Sequence, residues 1–219
     1  MRNIRTGCTK NEMEPDKDGN GGGSPSMKPP LAIPFAELAP STSLFTHAST
    51  IHGQAHVSRV IVHAFRLIVA TGWTGEAPRL WAAVYLHDLA RTHDGVCYRH
   101  GGDAMKKFET LHHLRELFAR GGVKDEDYPI IHTAVVHHSI PKELDRDHPH
   151  WRLTSLLKDA DALDRVRIDD LDPRYLRNPE AQGMVAFAQR LFDETAGVVP
   201  VGEDHFALLW PEAVRIATL

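Results

Sequence analysis

The sequence predicts an all-α fold, and three observations lead to that prediction. Apolar residues recur every three or four positions through residues 57–68, which is the pattern of an amphipathic helix. A second run, residues 77–90, is apolar nearly all round and has Pro78 near its first position, as expected for a central buried helix. No stretch alternates convincingly between apolar and polar residues, so no β-strand is expected. The helices must therefore pack against one another to form the core.

The chain begins with a polar segment, residues 1–30, that is rich in glycine and proline. Such a segment buries too little apolar surface to offset the entropy lost on ordering, so we expect a disordered tail. Residues 31–219 are expected to form a single domain, since 42% of the chain is hydrophobic and a sizeable core is within reach. The domain opens with a short lead-in that Pro34 and Pro40 interrupt.

The remaining periodic segments predict five further helices. Gly121 and Gly122 would end the first of them, and Pro141 lies just beyond the second. The expected ranges are residues 101–120, 128–138, 153–163, 184–192 and 206–216.

Composition argues against several classes of partner. The net charge of -4 provides no field that would attract nucleic acid or an anionic membrane surface. No run reaches the ~18 apolar residues of a transmembrane helix, and the start lacks the pattern of a signal peptide. The only cysteines, Cys8 and Cys97, have no zinc-site spacing, so a reducing cytoplasm is the expected location. An oligomer is left open.

Histidines and aspartates in the middle of the chain indicate a metal site. The chain has 15 histidines, and His87 stands beside Asp88 at the end of the second apolar run. With His56 upstream and Asp161 downstream, these residues offer the nitrogen and oxygen donors that divalent cations prefer. Adjacent residues of a helix diverge by about 100°, so His87 and Asp88 can face one ion only where the helix ends or is distorted.

The order His, His-Asp, Asp resembles the signature of the HD superfamily of metal-dependent phosphohydrolases, which is carried on a helical bundle. The resemblance covers residues 52–177, most of the expected domain. It implies an HD-domain helical bundle with a metal ion held by the signature residues. The matching segments, each with the ligand that it would supply, are residues 51–60 with His56, residues 83–88 with His87 and Asp88, and residues 158–164 with Asp161.

Two further histidines, His100 and His138, fall where histidine-rich members of the superfamily carry additional ligands. The resemblance therefore implies one or two divalent ions per chain, with Mn, Mg, Fe, Co, Ni and Zn all left open. Members that hydrolyse alarmones carry a Glu-Asp pair three residues after the His-Asp pair. This chain has Arg91 and Thr92 there, which disfavours that activity and suggests a phosphate-binding role for Arg91.

The activity that the resemblance implies is hydrolysis of a phosphoester or phosphoanhydride in a small phosphorylated substrate, with a nucleotide preferred. A metal-activated water would attack the phosphorus. Asp88 would accept a proton from that water, and His100 or His52 would protonate the leaving oxygen. Candidates for phosphate binding share helix faces or loops with the ligands, and they are Arg59, Arg91, Lys158 and Arg165.

Several assignments stay open at this stage. Asp159 is the fallback ligand if the closing motif is shifted, and His52 could instead cap a helix. Arg59 could instead pair with a core carboxylate, and Asp164 could hold Arg59 or Arg91 in place. Two other functions fit the same motifs: a dinuclear-iron HD-type oxygenase and a non-catalytic module that binds metal or nucleotide.

Overall fold

The computed structural model describes residues 29–197 and 205–217, and the expected tail lies almost wholly outside these ranges. Within them the all-α prediction is confirmed, because the described residues form ten α-helices and no strand. None of these helices combines the length and apolarity needed to cross a membrane. The helices are α1 (Phe35–Leu38), α2 (Gln54–Thr71), α3 (Ala77–Leu86), α4 (His100–Thr110), α5 (His112–Arg120), α6 (Tyr128–His138), α7 (Trp151–Leu163), α8 (Pro179–Gln182), α9 (Val185–Thr195) and α10 (His205–Ala217).

Helices α2 and α3 form the centre of the bundle. α2 packs against α3, α7 and α10, while α3 also contacts α6 and α7. The predicted apolar stripe of α2 faces this core, with Val57, Val60 and Ile61 fully buried. Burying each large aliphatic side chain contributes about 1.5–3 kcal/mol to folding, so this stripe fixes the orientation of α2 about its axis.

Trp81 on α3 joins the N-terminal segment to the core. Its ring lies edge-on to Phe118 of α5 at a centroid distance of 5.3 Å, and its Nε1–H donates to the carbonyl of Leu38 at 2.8 Å. A Cβ on Gly121 would lie 2.2 Å from the same indole. Only glycine therefore fits where the chain leaves α5 beneath this ring.

The prediction of one continuous helix over residues 101–120 is wrong. α4 ends at Thr110 and α5 begins at His112, because Leu111 has non-helical torsions, φ -101° and ψ 65°. Both helices direct apolar side chains into one core, so the helical period continues across Leu111. Periodicity alone could not reveal this break.

Candidate metal centre

Six side chains from five parts of the bundle converge at one point. Five of them form two overlapping groups, and within each group the candidate ligand atoms lie within 4.8 Å of one another. The first group is His56, His87 and Asp161, and the second is His87, Asp88 and His138. His100 adjoins the second group, because its Nε2 lies 3.1 Å from Asp88 Oδ1. His87 belongs to both groups.

The end of α3 allows His87 and Asp88 to face the same point. α3 ends at Leu86, earlier than expected, and the chain continues in tight turns. The Leu89 N–H donates to Leu86 O at 3.2 Å and the Arg91 N–H to Asp88 O at 3.2 Å, both of the i to i+3 type. This tightening brings together two neighbouring side chains that a regular helix would hold about 100° apart.

The histidine rings have their tautomers set by hydrogen bonds at Nδ1. In three of them Nδ1–H donates to the backbone carbonyl three residues earlier. The pairs are His87 with Val84 O at 2.6 Å, His100 with Cys97 O at 2.6 Å and His138 with Val135 O at 2.5 Å. A carbonyl only accepts, so the ring proton lies on Nδ1 and Nε2 carries a lone pair when the ring is neutral.

The Nε2 atoms of His56, His87, His100 and His138 face one another in two pairs. His56 Nε2 lies 3.2 Å from His87 Nε2, and His100 Nε2 lies 2.8 Å from His138 Nε2. Two facing lone pairs repel unless positive charge lies beside them. The donor set therefore fits a divalent cation, with imidazole nitrogen and carboxylate oxygen as ligands.

The surroundings of His56 also favour positive charge. Burial and Arg167 disfavour the protonated ring, but hydrogen bonds with Asp161 and Asp164 outweigh them and raise the pKa of His56. By contrast, burial lowers the pKa of His87 to about 4, so that ring is neutral near pH 7. A proton or a cation is thus stabilised at this point, while His87 remains available as a neutral ligand.

Both carboxylates of the centre stay ionised. Burial would raise the pKa of Asp88, but the nearby rings of His87 and His100 hold this pKa well below its ordinary value. Burial acts in the same direction on Asp161, yet the hydrogen bond with His56 lowers its pKa. Asp88 is 3% exposed. A buried carboxylate needs positive charge or hydrogen-bond donors around it, and a bound cation would add to those that Asp88 already has.

A close contact between α4 and α6 brings His100 and His138 together. A Cβ added to Gly101 would lie 2.1 Å from Val135 O, the carbonyl that accepts the His138 Nδ1–H. Gly102, the next residue, has nothing within 4 Å of such a Cβ. The two helices can therefore approach this closely only because residue 101 has no side chain.

Asp164 orients the His56 ring by contacting Nδ1, the ring nitrogen that does not face the centre. Its Oδ2 lies 2.7 Å from His56 Nδ1, and its Oδ1 accepts from Arg59 Nε at 2.5 Å. Arg167 Nη1 also donates to the Asp164 backbone carbonyl at 2.9 Å. Burial would raise the pKa of Asp164, but Arg59 and His56 lower it, so the carboxylate is charged. Such outer partners fix the orientation of a metal-binding histidine.

A cleft of about 440 Å³ opens over the centre, with Asp88, His100, His138 and Asp161 in its wall. Of the predicted phosphate-binding residues, the structure brings two to this cleft. Arg91 lies with Nη1 3.6 Å from Asp88 Oδ1, and Arg165 is half-exposed and paired with Asp170.

The other two predicted phosphate contacts are not brought to the cleft. Arg59 is buried against Asp164, which is the core-carboxylate alternative noted for it. Lys158 Nζ donates to Ile140 O and to Glu143 Oε1, each at 2.9 Å. Sequence spacing placed both residues on their helices but could not show that each cation pairs with a carboxylate elsewhere in the sequence.

His52 and Arg167 also line the cleft. His52 Nδ1 lies 3.1 Å from Asp94 Oδ1, and burial lowers the pKa of this ring. Arg167 was missed by sequence reasoning. Its position three residues after Asp164, in the turn that follows the closing motif, was a signal that could have found it.

Asp159, the fallback ligand, has a different role. Its carboxylate accepts from the backbone N–H groups of Arg177 and Asn178 at 2.8–3.0 Å and from the Asn178 side chain at 2.8 Å. It is fully buried and anchors the segment between α7 and α8 to the bundle. It belongs to neither group of candidate ligands.

Comparison of the chain with protein-family models, curated proteins and solved structures gave no match. The metal centre is therefore inferred from the geometry of these side chains. The HD-superfamily resemblance stays a prediction drawn from the three motifs.

Proposed function

We propose that this chain is an HD-type metal-dependent phosphohydrolase that acts on a small phosphorylated substrate. The observation that carries the proposal is the combination of ligand-type histidines and aspartates with arginines in the wall of one cleft. A cation site alone would fit many activities. Guanidinium groups beside it add the complement to a phosphate dianion.

The groups around His87 would hold one or two divalent ions. A bound ion would lower the pKa of a water toward ~7 and offset charge on the phosphoryl group. Nitrogen and oxygen donors without a thiolate suit Mn, Fe, Co, Ni and Zn, and the carboxylates also suit Mg.

The arginines of the cleft would position the phosphoryl group. Arg91 is held in place by donating from Nη2 to Gly95 O at 2.9 Å, while its Nη1 reaches toward Asp88. Arg167 is fixed by donating from Nε to Ile51 O at 2.9 Å. Held guanidinium groups lose little freedom on binding, so they are suited to orient phosphate oxygens.

Proton transfers would be assigned to the ionised Asp88 and to His52. Asp88 would accept a proton, since it is ionised and lines the cleft. Asp94 lies at Nδ1 of His52, which leaves His52 Nε2 for exchange with the leaving oxygen. His100 is the alternative acid if it binds no ion.

The direct test is hydrolysis of a panel of nucleotides and sugar phosphates by protein stripped of metal and then supplied with Mn²⁺, Mg²⁺, Fe²⁺, Co²⁺, Ni²⁺ or Zn²⁺. We expect release of inorganic phosphate or pyrophosphate only when metal is present. Metal-loaded protein that hydrolyses none of these compounds would contradict the proposal.

A second candidate function is a dinuclear-iron HD-type oxygenase. The position of Asp88 favours it, because a carboxylate has two oxygens and could bridge two adjacent ions: Oδ2 lies 3.5 Å from His56 Nε2 and Oδ1 lies 3.1 Å from His100 Nε2. Two iron ions per chain together with substrate-dependent oxygen consumption would support this alternative. Tight metal or nucleotide binding without turnover of either kind would point to a non-catalytic module.

A further inference from the structure

A second cavity, of about 570 Å³, adjoins the metal cleft. Its wall includes Ile51, Arg167 and Ile168, and these three residues also line the cleft. The volume lies within the range of about 300–1,000 Å³ that is usual for small-molecule sites. A molecule that occupies both spaces would pass across Ile51 and Arg167.

Gln54, one of the residues that line this cavity, has a buried amide without a hydrogen-bond partner among the described residues. Gln54 is 2% exposed, and neither its Nε2 nor its Oε1 has a hydrogen-bond partner in the part of the chain that the structure describes. His205, also on the wall and 1% exposed, has an unpartnered Nδ1 within the same described ranges. Buried polar atoms are nearly always paired in folded proteins, so these groups point to a binding site for a ligand with donors and acceptors.

Both arginines on the wall already have a partner within the protein. Arg59 and Arg167 both line the cavity, and both donate to Asp164. The guanidinium of Arg59 also lies 5.3 Å from the centroid of Phe192, another wall residue. Asp164 balances one of these two charges, and Arg167 also lines the metal cleft, where its charge is available to a phosphate. The remaining surface of the cavity is largely apolar. A flat, uncharged group with a polar edge fits these walls better than a phosphate does.

We propose that this cavity binds the base of a nucleotide substrate whose phosphate lies in the metal cleft. Gln54 recognises the edge of the base, because its side chain offers one acceptor and two donors and can pair bidentately. The inference rests on the proposed phosphohydrolase function, which it narrows to nucleotides. Three shared wall residues keep the cavity and the cleft adjacent, as the sugar that joins base and phosphate requires.

The test is binding of adenosine, guanosine, cytidine and uridine to the full chain, measured by calorimetry. Nucleosides lack phosphate, so they report on this cavity without the metal cleft. We expect at least one to bind, and we expect Gln54→Met and Gln54→Leu to weaken that binding by about tenfold, the loss of one bidentate pair. Gln189→Leu, on an exposed glutamine of α9, is the matched control.

The melting temperature of the Gln54 variants distinguishes a role of Gln54 in base recognition from a structural role. Removing an amide that has no partner within the described residues should raise the melting temperature of Gln54→Met while nucleoside affinity falls. A structural amide would give the reverse, a lower melting temperature with unchanged affinity. A lower melting temperature with unchanged affinity would overturn the proposal. Wild-type affinity in either folded variant would overturn it too, and so would the lack of any nucleoside binding at millimolar concentration.

Hydrolysis assays distinguish a failure of the base site from a failure of the proposed phosphohydrolase function. Nucleoside binding that depends on Gln54, without hydrolysis of any phosphate, would retain the base site and contradict the phosphohydrolase. Hydrolysis with equal kcat/KM for nucleotides and for ribose 5-phosphate would retain the phosphohydrolase and overturn the base site.

Discussion

The hydrogen bond at Nδ1 decides what each histidine of the centre can do. His87, His100 and His138 donate to backbone carbonyls, whereas His56 is held by the carboxylate of Asp164. In every case Nε2 is the atom left to face the shared point. These shared orientations distinguish the candidate ligands from a buried histidine such as His63, whose ring nitrogens have no hydrogen-bond partner among the described residues.

The sequence identified the residues of the centre better than it identified the cations around them. His56, His87, Asp88 and Asp161 were expected to converge, and the structure brings them together. Their motifs combine a residue type with a local helix position, and packing of the helices does the rest. The partner of an arginine depends on contacts distant in sequence, so the pairing of Arg59 with Asp164 could be named only as an alternative.

Arg91 provides the prediction at this scale. Arg91→Ala should raise the KM for a phosphate substrate by about tenfold or more, since a charge-assisted contact contributes about 1.5–3 kcal/mol. Metal content should change little, because Arg91 belongs to neither ligand group. Steady-state kinetics with metal analysis on the same samples would measure both.

Arg174→Ala is the matched control for that experiment. Arg174 is exposed and pairs with Asp172 within its own turn, outside the cleft. Equal KM values in the two variants would remove Arg91 from the phosphate site.

At the scale of elements, the ends of the helices matter more for the metal centre than their middle turns do. α3 ends at Leu86, and the tight turns after it supply two adjacent ligands. α4 begins at His100 and α6 ends at His138, so each presents a ligand at a terminus. The periodic pattern predicted both ends of α6, and it predicted the start of α4 to within one residue. It did not predict the end of α3 or the break at Leu111, because helical spacing continues through residues 87–90 and across Leu111.

The contact of α4 with α6 gives a paired prediction. Gly101→Ala should separate the helices, because its Cβ would meet Val135 O at 2.1 Å, and metal affinity should fall. Gly102→Ala should bind metal as the wild type does and unfold at equal or higher temperature, since alanine favours a helix by about 0.5–1 kcal/mol. Isothermal titration with Mn²⁺ and thermal melts would compare the two variants. Equal affinity in both would show that the close approach is not needed.

At the scale of the whole molecule, the fold buries several ionisable groups in its core. The apolar faces of α2, α3 and α7 were predictable from spacing, and they form the core as expected. Buried polar residues on the same helices, such as His63, could not be distinguished from surface ones. His63 is fully buried, with no hydrogen-bond partner at either ring nitrogen among the described residues.

His63 predicts how stability depends on pH. Burial lowers its pKa from 6.5 to about 4, so the unfolded chain takes up a proton that the folded chain excludes. Stability is therefore retained above pH 6.5 and falls as the pH decreases toward about 4. His63→Leu should reduce this fall by up to roughly 3 kcal/mol.

Denaturant unfolding of metal-free protein at several pH values between 6.5 and 4 would measure that effect. His112→Leu is the control, since His112 is exposed on α5. Unfolding curves for His63→Leu that decline with pH as steeply as those of the control would contradict the assignment.

The most direct test of the metal centre is the number of ions bound per chain, measured by mass spectrometry after saturation with Mn²⁺ and gel filtration. His87 belongs to both ligand groups and its Nε2 can bind one ion, so His87→Ala should lose at least one of the ions that the wild type holds. His138→Ala should lose only the ion of the second group, and His112→Ala should match the wild type. A folded His87→Ala variant that retains the wild-type number of ions would contradict the account.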